Sequence, residues 1–349
     1  MAVSFMEATM KKTTRLIALS ALLASLGLGF VITTHAAQAQ EELVNVSYDP
    51  TRELYREYGD HFARTWQDKT GGTIAVSNSH GGSGAQVRSV IEGLPADVVT
   101  FPLEGDVLAI EQAGLIEPGW QAEFPDQSSP YTSTIVFLVR AGNPKGIKDW
   151  NDLVRDDVQV ITPNPKTSGG ARYNYLAAWA YEAHRTGGDQ EAAKAFVGEL
   201  YRHVPVLDTG ARGSTNTFVQ NKVGDVLLAW ENEALLSLKE FGSEYEIIVP
   251  SLSILAEIKV AIVDRNADAK GTRDAAKAFL EGLYTPEAQN IIARNFYRPR
   301  HSESVDPEIL QSFPEVKLVT VGEEFGGWAE AQPTHFDEGG VFDQIYSSN

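Results

Sequence analysis

Residues 161–179 read ITPNPKTSGGARYNYLAAW. An apolar run from Val158 to Thr162 meets two prolines, and Thr167-Ser168-Gly169-Gly170-Ala171 then opens a long helix expected over 171–185. Leu176, Trp179, Ala180 and Ala183 stripe one face of that helix at helical spacing. A strand that passes into a helix through small residues is the repeating unit of an α/β sheet, and ligands sit at the carboxyl ends of such strands. The helix that begins there presents free N–H groups and a partial positive charge, which suits an anion.

The same junction recurs on both sides of this stretch. Tyr48-Asp49-Pro50 follows a strand from Leu43 to Tyr48; Asp49 is expected as an N-cap, with Pro50 at the first helical position. In His80-Gly81-Gly82-Ser83-Gly84-Ala85-Gln86, Ser83 and Gln86 have the spacing of a capping box. Thr209-Gly210-Ala211-Arg212-Gly213-Ser214 is a fourth such turn, and Ala229-Trp230-Glu231 runs a strand straight into a helix. An indole N–H only donates, which fits a ligand that only accepts. Taken singly, each junction is an ordinary helix start, and Trp230 is an ordinary core residue. Five together, two in one half of the fold and three in the other, point to an anion held in a cleft.

Further strands are expected at 73–76, 96–101, 134–140, 225–230 and 260–263. Helical stripes fall at Leu54, Tyr58, Phe62 and Trp66, and at Val87, Val90, Ile91 and Leu94. This alternation predicts an α/β fold with largely parallel sheets. The runs 134–140 and 255–264 suit chain crossings between two lobes, one built from 40–133 plus 260–349 and the other from 134–259.

The amino terminus has the form of an export signal. Lys11, Lys12 and Arg15 precede an apolar run to Ile32, and Ala37-Gln38-Ala39 supplies a small-x-small cleavage pattern, so 1–39 is expected to be removed. Met10, directly before the lysines, is an alternative start. Removal of 1–39, which carries Lys11, Lys12, Arg15 and Glu7, would move the formal charge from −18 to about −20. Such acidity disfavours nucleic acid and anionic membranes as partners. The chain has no cysteine, which removes disulfides and thiolate metal sites. It has no H-E-x-x-H and no P-loop, so neither a metal nor a cofactor is expected. A secreted serine hydrolase is the rival class, because His80-Gly81-Gly82-Ser83-Gly84 resembles an oxyanion loop. Ala85 breaks G-x-S-x-G, however, and none of the histidines at 61, 80, 184, 203, 301 and 335 has a triad context. Arg172 and Arg212 flank the small-residue turns, either supporting them or simply lying at the surface.

At these residues the chain resembles the periplasmic sulfate-binding proteins, with the thiosulfate-binding proteins close by. The resemblance runs through NVSYDPTRELY (45–55), SHGGSG (79–84), the 161–179 stretch, DTGARGSTNTF (208–218), LLAWENEALL (227–236) and HFDEGGVFDQI (335–345). It implies a two-lobed type II periplasmic-binding fold that closes on dehydrated sulfate and delivers it to the membrane permease of an ABC importer. The protein would be a periplasmic monomer and not an enzyme. It further implies that the anion takes backbone N–H groups from Asp49, Ser83, Gly169, Gly170 and Ala211, hydroxyls from Ser168 and Ser83, and the indole N–H of Trp230. Thiosulfate and molybdate-type oxyanions remain alternatives. Glu257-Ile258-Lys259 departs from the family pattern, which has proline after the glutamate.

Overall fold

The computed structural model describes residues 41–347; the export signal read at 1–39 lies outside them. Thirteen strands are assigned among these residues. They are β1 (Glu41–Tyr48), β2 (Ile74–Gly81), β3 (Val98–Phe101), β4 (Tyr131–Ser133), β5 (Ile135–Arg140), β6 (Val160–Pro163), β7 (Leu207–Asp208), β8 (Val226–Trp230), β9 (Tyr245–Ile248), β10 (Ser253–Ile254), β11 (Ala256–Ile262), β12 (Arg298–Pro299) and β13 (Leu318–Val319). One sheet has the order β12-β4-β11-β3-β1-β2 and the other β7-β6-β8-β5-β9, with β10 and β13 forming a small pair.

Period-two alternation explains how each sheet is buried on both faces. In β5, Ile135, Phe137 and Val139 enter one apolar cluster, while Val136 and Leu138 enter another. In β1, Leu43 and Val46 likewise separate onto opposite faces. The chain leaves the first sheet at Ser133 and joins the second at Ile135, then returns between Ile248 and Ala256.

The sheets are mixed rather than largely parallel. The pairs β1–β2, β1–β3, β6–β7 and β6–β8 are parallel, but β5 runs antiparallel to β8 and β9, and β11 antiparallel to β3 and β4. The short edge strand β12 is also antiparallel to β4; β5 and β11 are the two that arrive from the other sheet. They enter without the helical crossover that makes neighbours parallel. The helix Ser83–Ile91 also stops short of the stripe expected to reach Leu94; Ile91 is exposed, and its amphipathic face is set by Val87 and Val90.

After β12 the chain crosses once more. The helix Val341–Ser347 packs on the helix Gln190–Arg202, with the Phe342 and Tyr201 rings 5.2 Å apart. A π-helical turn, Gln332–Phe336, carries His335 into a nest of Tyr175, Trp179, Phe325 and Phe336. Its Nδ1 lies 3.0 Å from the Tyr175 hydroxyl. Burial pushes its pKa from 6.5 down to about 4.

Between those values the unfolded chain binds a proton that the folded chain refuses, so this group costs stability as pH falls from 6.5 towards 4. Thermal unfolding of His335→Gln should therefore vary less steeply with pH across that window than wild type. Parallel curves would show that His335 takes a proton in the fold without penalty.

Candidate functional site

The five junctions converge. Alternation along β8 puts Val226, Leu228 and Trp230 on one face. Trp230 thus ends the strand 2 % exposed, its ring 5.8 Å from Tyr48 and 5.4 Å from Tyr173. Those two tyrosines were missed from the sequence, because nothing in their local pattern marks them as walls around an indole. The Trp230 indole nitrogen is buried and has no hydrogen-bond partner among the described residues. An unpaired buried donor costs about 1–3 kcal/mol, so it marks a position built for an acceptor.

Gly170 lies against that nitrogen. A Cβ added to it would sit 2.5 Å from Nε1, so only glycine lets the backbone come this close. Gly170, Ala211 and Trp230 share one small enclosed pocket with Asn174 and Thr215. Gly169 and Gly170 are the first residues of the helix Gly169–Arg185, and Ala211 is the first of Ala211–Val219. First-turn N–H groups have no partner within their own helix. Ser168 is the N-cap, accepting from the Ala171 N–H at 3.4 Å. That bond occupies a lone pair and leaves the hydroxyl proton to donate.

Two expected caps differ. Gly82, not Ser83, caps the helix Ser83–Ile91, and the Gln86 side chain bonds Ser79 rather than closing a capping box. Because Ser83 sits inside the helix, its hydroxyl is released outward and accepts the Gly169 N–H at 3.1 Å, joining the two halves of the fold. Asp49 is likewise inside its turn rather than before it. A 3₁₀ turn, Asp49–Thr51, starts after Tyr48 and leads into the helix Arg52–Thr70. Thr51 supplies the return bond, Oγ1 to the Tyr48 carbonyl at 2.7 Å. The Asp49 carboxylate accepts from Arg52 at 3.1 Å and fills the space where Gly210 would carry a side chain. Burial raises its pKa, and the Arg52 charge opposes that rise.

All seven predicted residues are thus linked by direct neighbours: Asp49 to Gly210 and so to Ala211, Ser83 to Gly169, Ser168 to Ala171, and Gly170 to Trp230. Larger cavities of about 450, 530 and 520 Å³ contain none of them.

No adjacent arginine is free to act as counter-ion. Arg212 forks onto Glu233 and Glu53, with nitrogen–oxygen distances of 2.8–3.2 Å. Arg172 donates to the Pro165 carbonyl at 2.9 Å and lies 3.6 Å from Asp106. Both arginines hold the small-residue loops, and neither is a plain surface group. Of the residues that resemble an oxyanion loop, Ser83 accepts from the Gly169 N–H and the His80 ring faces Thr51, 3.5 Å away.

Two α/β sheets that meet through facing helix starts are the architecture of a two-lobed binding protein. A family model for bacterial extracellular solute-binding proteins matches residues 43–298. The Sulfate-binding protein of Escherichia coli is 56% identical over 321 residues, covering 91% of this chain and 97% of its own. The Thiosulfate-binding protein of Pseudomonas aeruginosa is 48% identical over 337 residues, covering 96% and 99%. Among solved structures, the sulfate-binding protein SubI from Mycobacterium tuberculosis superposes with a TM-score of 0.74 at 32% identity, covering 85% of this chain and all of that one. The chain belongs to the bacterial extracellular solute-binding proteins, within the group of sulfate- and thiosulfate-binding proteins, and has their two-lobed type II fold.

Backbone meets backbone across the halves at Gly82, where an added Cβ would sit 2.7 Å from the carbonyl oxygens of both Thr167 and Thr209. Backbone cannot yield as a flexible side chain would. Gly82→Ala should therefore resist closure while leaving each half folded. X-ray scattering should give a larger radius of gyration than wild type under ligand, with nearly unchanged ligand-free melting. A variant as compact as wild type would show that the halves can meet without this approach.

Proposed function

We propose that this chain is the periplasmic component of an ABC importer and that it binds dehydrated sulfate. Asp49, Ser83, Gly169, Gly170 and Ala211 give backbone N–H groups, Ser83 and Ser168 give hydroxyls, and Trp230 gives its indole N–H. The observation that carries this reading is the buried, unpartnered Trp230 nitrogen beside glycine-bearing helix starts. The names of the relatives, sulfate- and thiosulfate-binding proteins, support the same anion class. Export through residues 1–39, action as a monomer and delivery to a membrane permease belong to this reading. So do lobes of 40–133 with 260–349 and of 134–259 that open and close about the crossings, except that the helix Val341–Ser347 lies against Gln190–Arg202 and would travel with the second lobe. No cofactor takes part, and bound solute is released unchanged.

The energies suffice without a counter-ion. A helix start contributes roughly 0.3–2 kcal/mol towards an anion, and a hydrogen bond to a charged group about 1.5–3. Several together offset dehydration and leave the roughly −8 kcal/mol of micromolar binding. Sulfate over phosphate follows from proton inventory. Phosphate keeps a proton near neutral pH and needs a buried acceptor for it, whereas backbone and indole N–H groups only donate and the Ser83 and Ser168 oxygens already accept from Gly169 and Ala171. Thiosulfate is the second reading, favoured by the relative at 48% identity.

Titrating sulfate, thiosulfate, molybdate and phosphate while following tryptophan fluorescence separates these ligands. Sulfate or thiosulfate should bind most tightly, and Trp230→Phe should weaken that binding by about 1–3 kcal/mol, measured by calorimetry. Melting without ligand should be unchanged or raised in that variant, because a buried unpaired donor has been removed. Preference for phosphate, or normal binding by Trp230→Phe, would refute the site as assigned.

A further inference from the structure

The loop that leads into Ser168 is held from outside the cleft. Asn164 ties its inner turn, accepting from the Thr167 and Ser168 N–H groups through its carbonyl at 3.0 and 2.9 Å, and from the Lys166 N–H through its side chain at 2.9 Å. The Thr167 carbonyl oxygen then faces Gly82 and Gly84 across the halves. On the opposite side the Lys166 side chain reaches 170 and more residues along the chain. Its ammonium donates to the carbonyls of Phe336 and Asp337 at 2.8 and 3.1 Å and pairs with the Asp343 carboxylate at 2.7 Å. Phe336 ends the π-helical turn Gln332–Phe336, and carbonyls at a helix end lack partners within the helix and attract a cation. The ammonium has three donors, and three acceptors from one segment converge on it. Arg172 adds a second tie from the same loop, donating to the Pro165 carbonyl at 2.9 Å while its guanidinium lies 5.7 Å from the Phe336 ring centre.

The carboxyl-terminal segment is itself anchored away from the loop. Its helix Val341–Ser347 packs on Gln190–Arg202, and Asp343 also accepts the Gly339 N–H at 2.8 Å. A small-residue loop with three donors to aim needs such a brace, since misplacement by a fraction of an ångström weakens every bond it makes.

We propose that Lys166 is a positioning residue, and that the carboxyl-terminal segment it clamps presets the Ser168-Gly169-Gly170 loop for the anion. This rests on the sulfate reading, because the loop's donors are those assigned to sulfate. The clamp touches no ligand group, so it acts through backbone placement alone.

The test is a double-mutant cycle on the full chain with inorganic sulfate, using Lys166→Met and Asp343→Asn and paired with amide hydrogen exchange in ligand-free protein. Each single variant should bind sulfate roughly tenfold more weakly, the usual scale for outer support of a binding group. The double variant should be no weaker than the weaker single variant, because both cut one linkage. Exchange should quicken across 164–170 and stay unchanged at the start of Ala211–Val219. Asp343 is partly exposed and Asn keeps its size, so Asp343→Asn decides the matter by itself if Lys166→Met does not fold. Binding within about twofold of wild type, or additive losses, would overturn the proposal. Wild-type protein that ignores sulfate while the variants still loosen 164–170 would instead overturn the ligand assignment and leave the brace standing.

Discussion

Everything in this molecule is arranged around backbone N–H groups that have no partner inside their own helices. Four helices and a 3₁₀ turn begin at one place: Asp49–Thr51, Ser83–Ile91, Gly169–Arg185, Ala211–Val219 and Glu231–Phe241. Their starts come from both sheets, so the convergence exists only when the two halves meet. Each start carries a fraction of a positive charge that is fixed in direction and cannot be titrated away. A strongly acidic protein can thereby offer a positive locus without one mobile cation. Its arginines at the periphery are already committed to carboxylates, as Arg212 is to Glu53 and Glu233.

Close approach is the second requirement, and glycine meets it. Gly170 lets the indole of Trp230 touch backbone, Gly169 makes room for Ser83, and Gly82 lets two carbonyls of the other half come near. Tyr48 and Tyr173 then wall the indole so that it cannot swing. Rigidity matters because donors aimed in advance need not reorganise when charge arrives. The same ion pairs that hold the loops also span the halves. Arg212 joins helix Ala211–Val219 to Glu53 on Arg52–Thr70, and the Tyr173 hydroxyl donates to the Pro102 carbonyl at 2.9 Å.

Local chemistry was legible in the sequence wherever a strand met a helix through small residues. The helix that follows Thr167-Ser168-Gly169-Gly170 and Trp230 at a strand end follow from period and residue type, although the helix begins at Gly169, two residues before the expected 171, with Ser168 as its cap. Features decided by distant partners could not be read in this way. Ser83 and Gln86 have capping-box spacing, yet Gln86 finds Ser79 on the neighbouring strand and Gly82 takes the cap. Strand direction in β5 and β11 depends on which sheet the chain has just left. The Lys166 clamp joins residues 170 or more apart in sequence, for which a single sequence carries no periodic signal.

Fixed, uncharged donors that hold a fully deprotonated dianion, as proposed, would move no protons on binding. Proton linkage tests this most directly: calorimetric sulfate titrations in buffers of different ionisation heat, across about pH 5.5–8, count protons exchanged on binding. Essentially none should be exchanged, with affinity flat over that range. Uptake approaching one proton per sulfate would mean that a titrating group in the protein supplies the charge, and neutral-donor binding would fail.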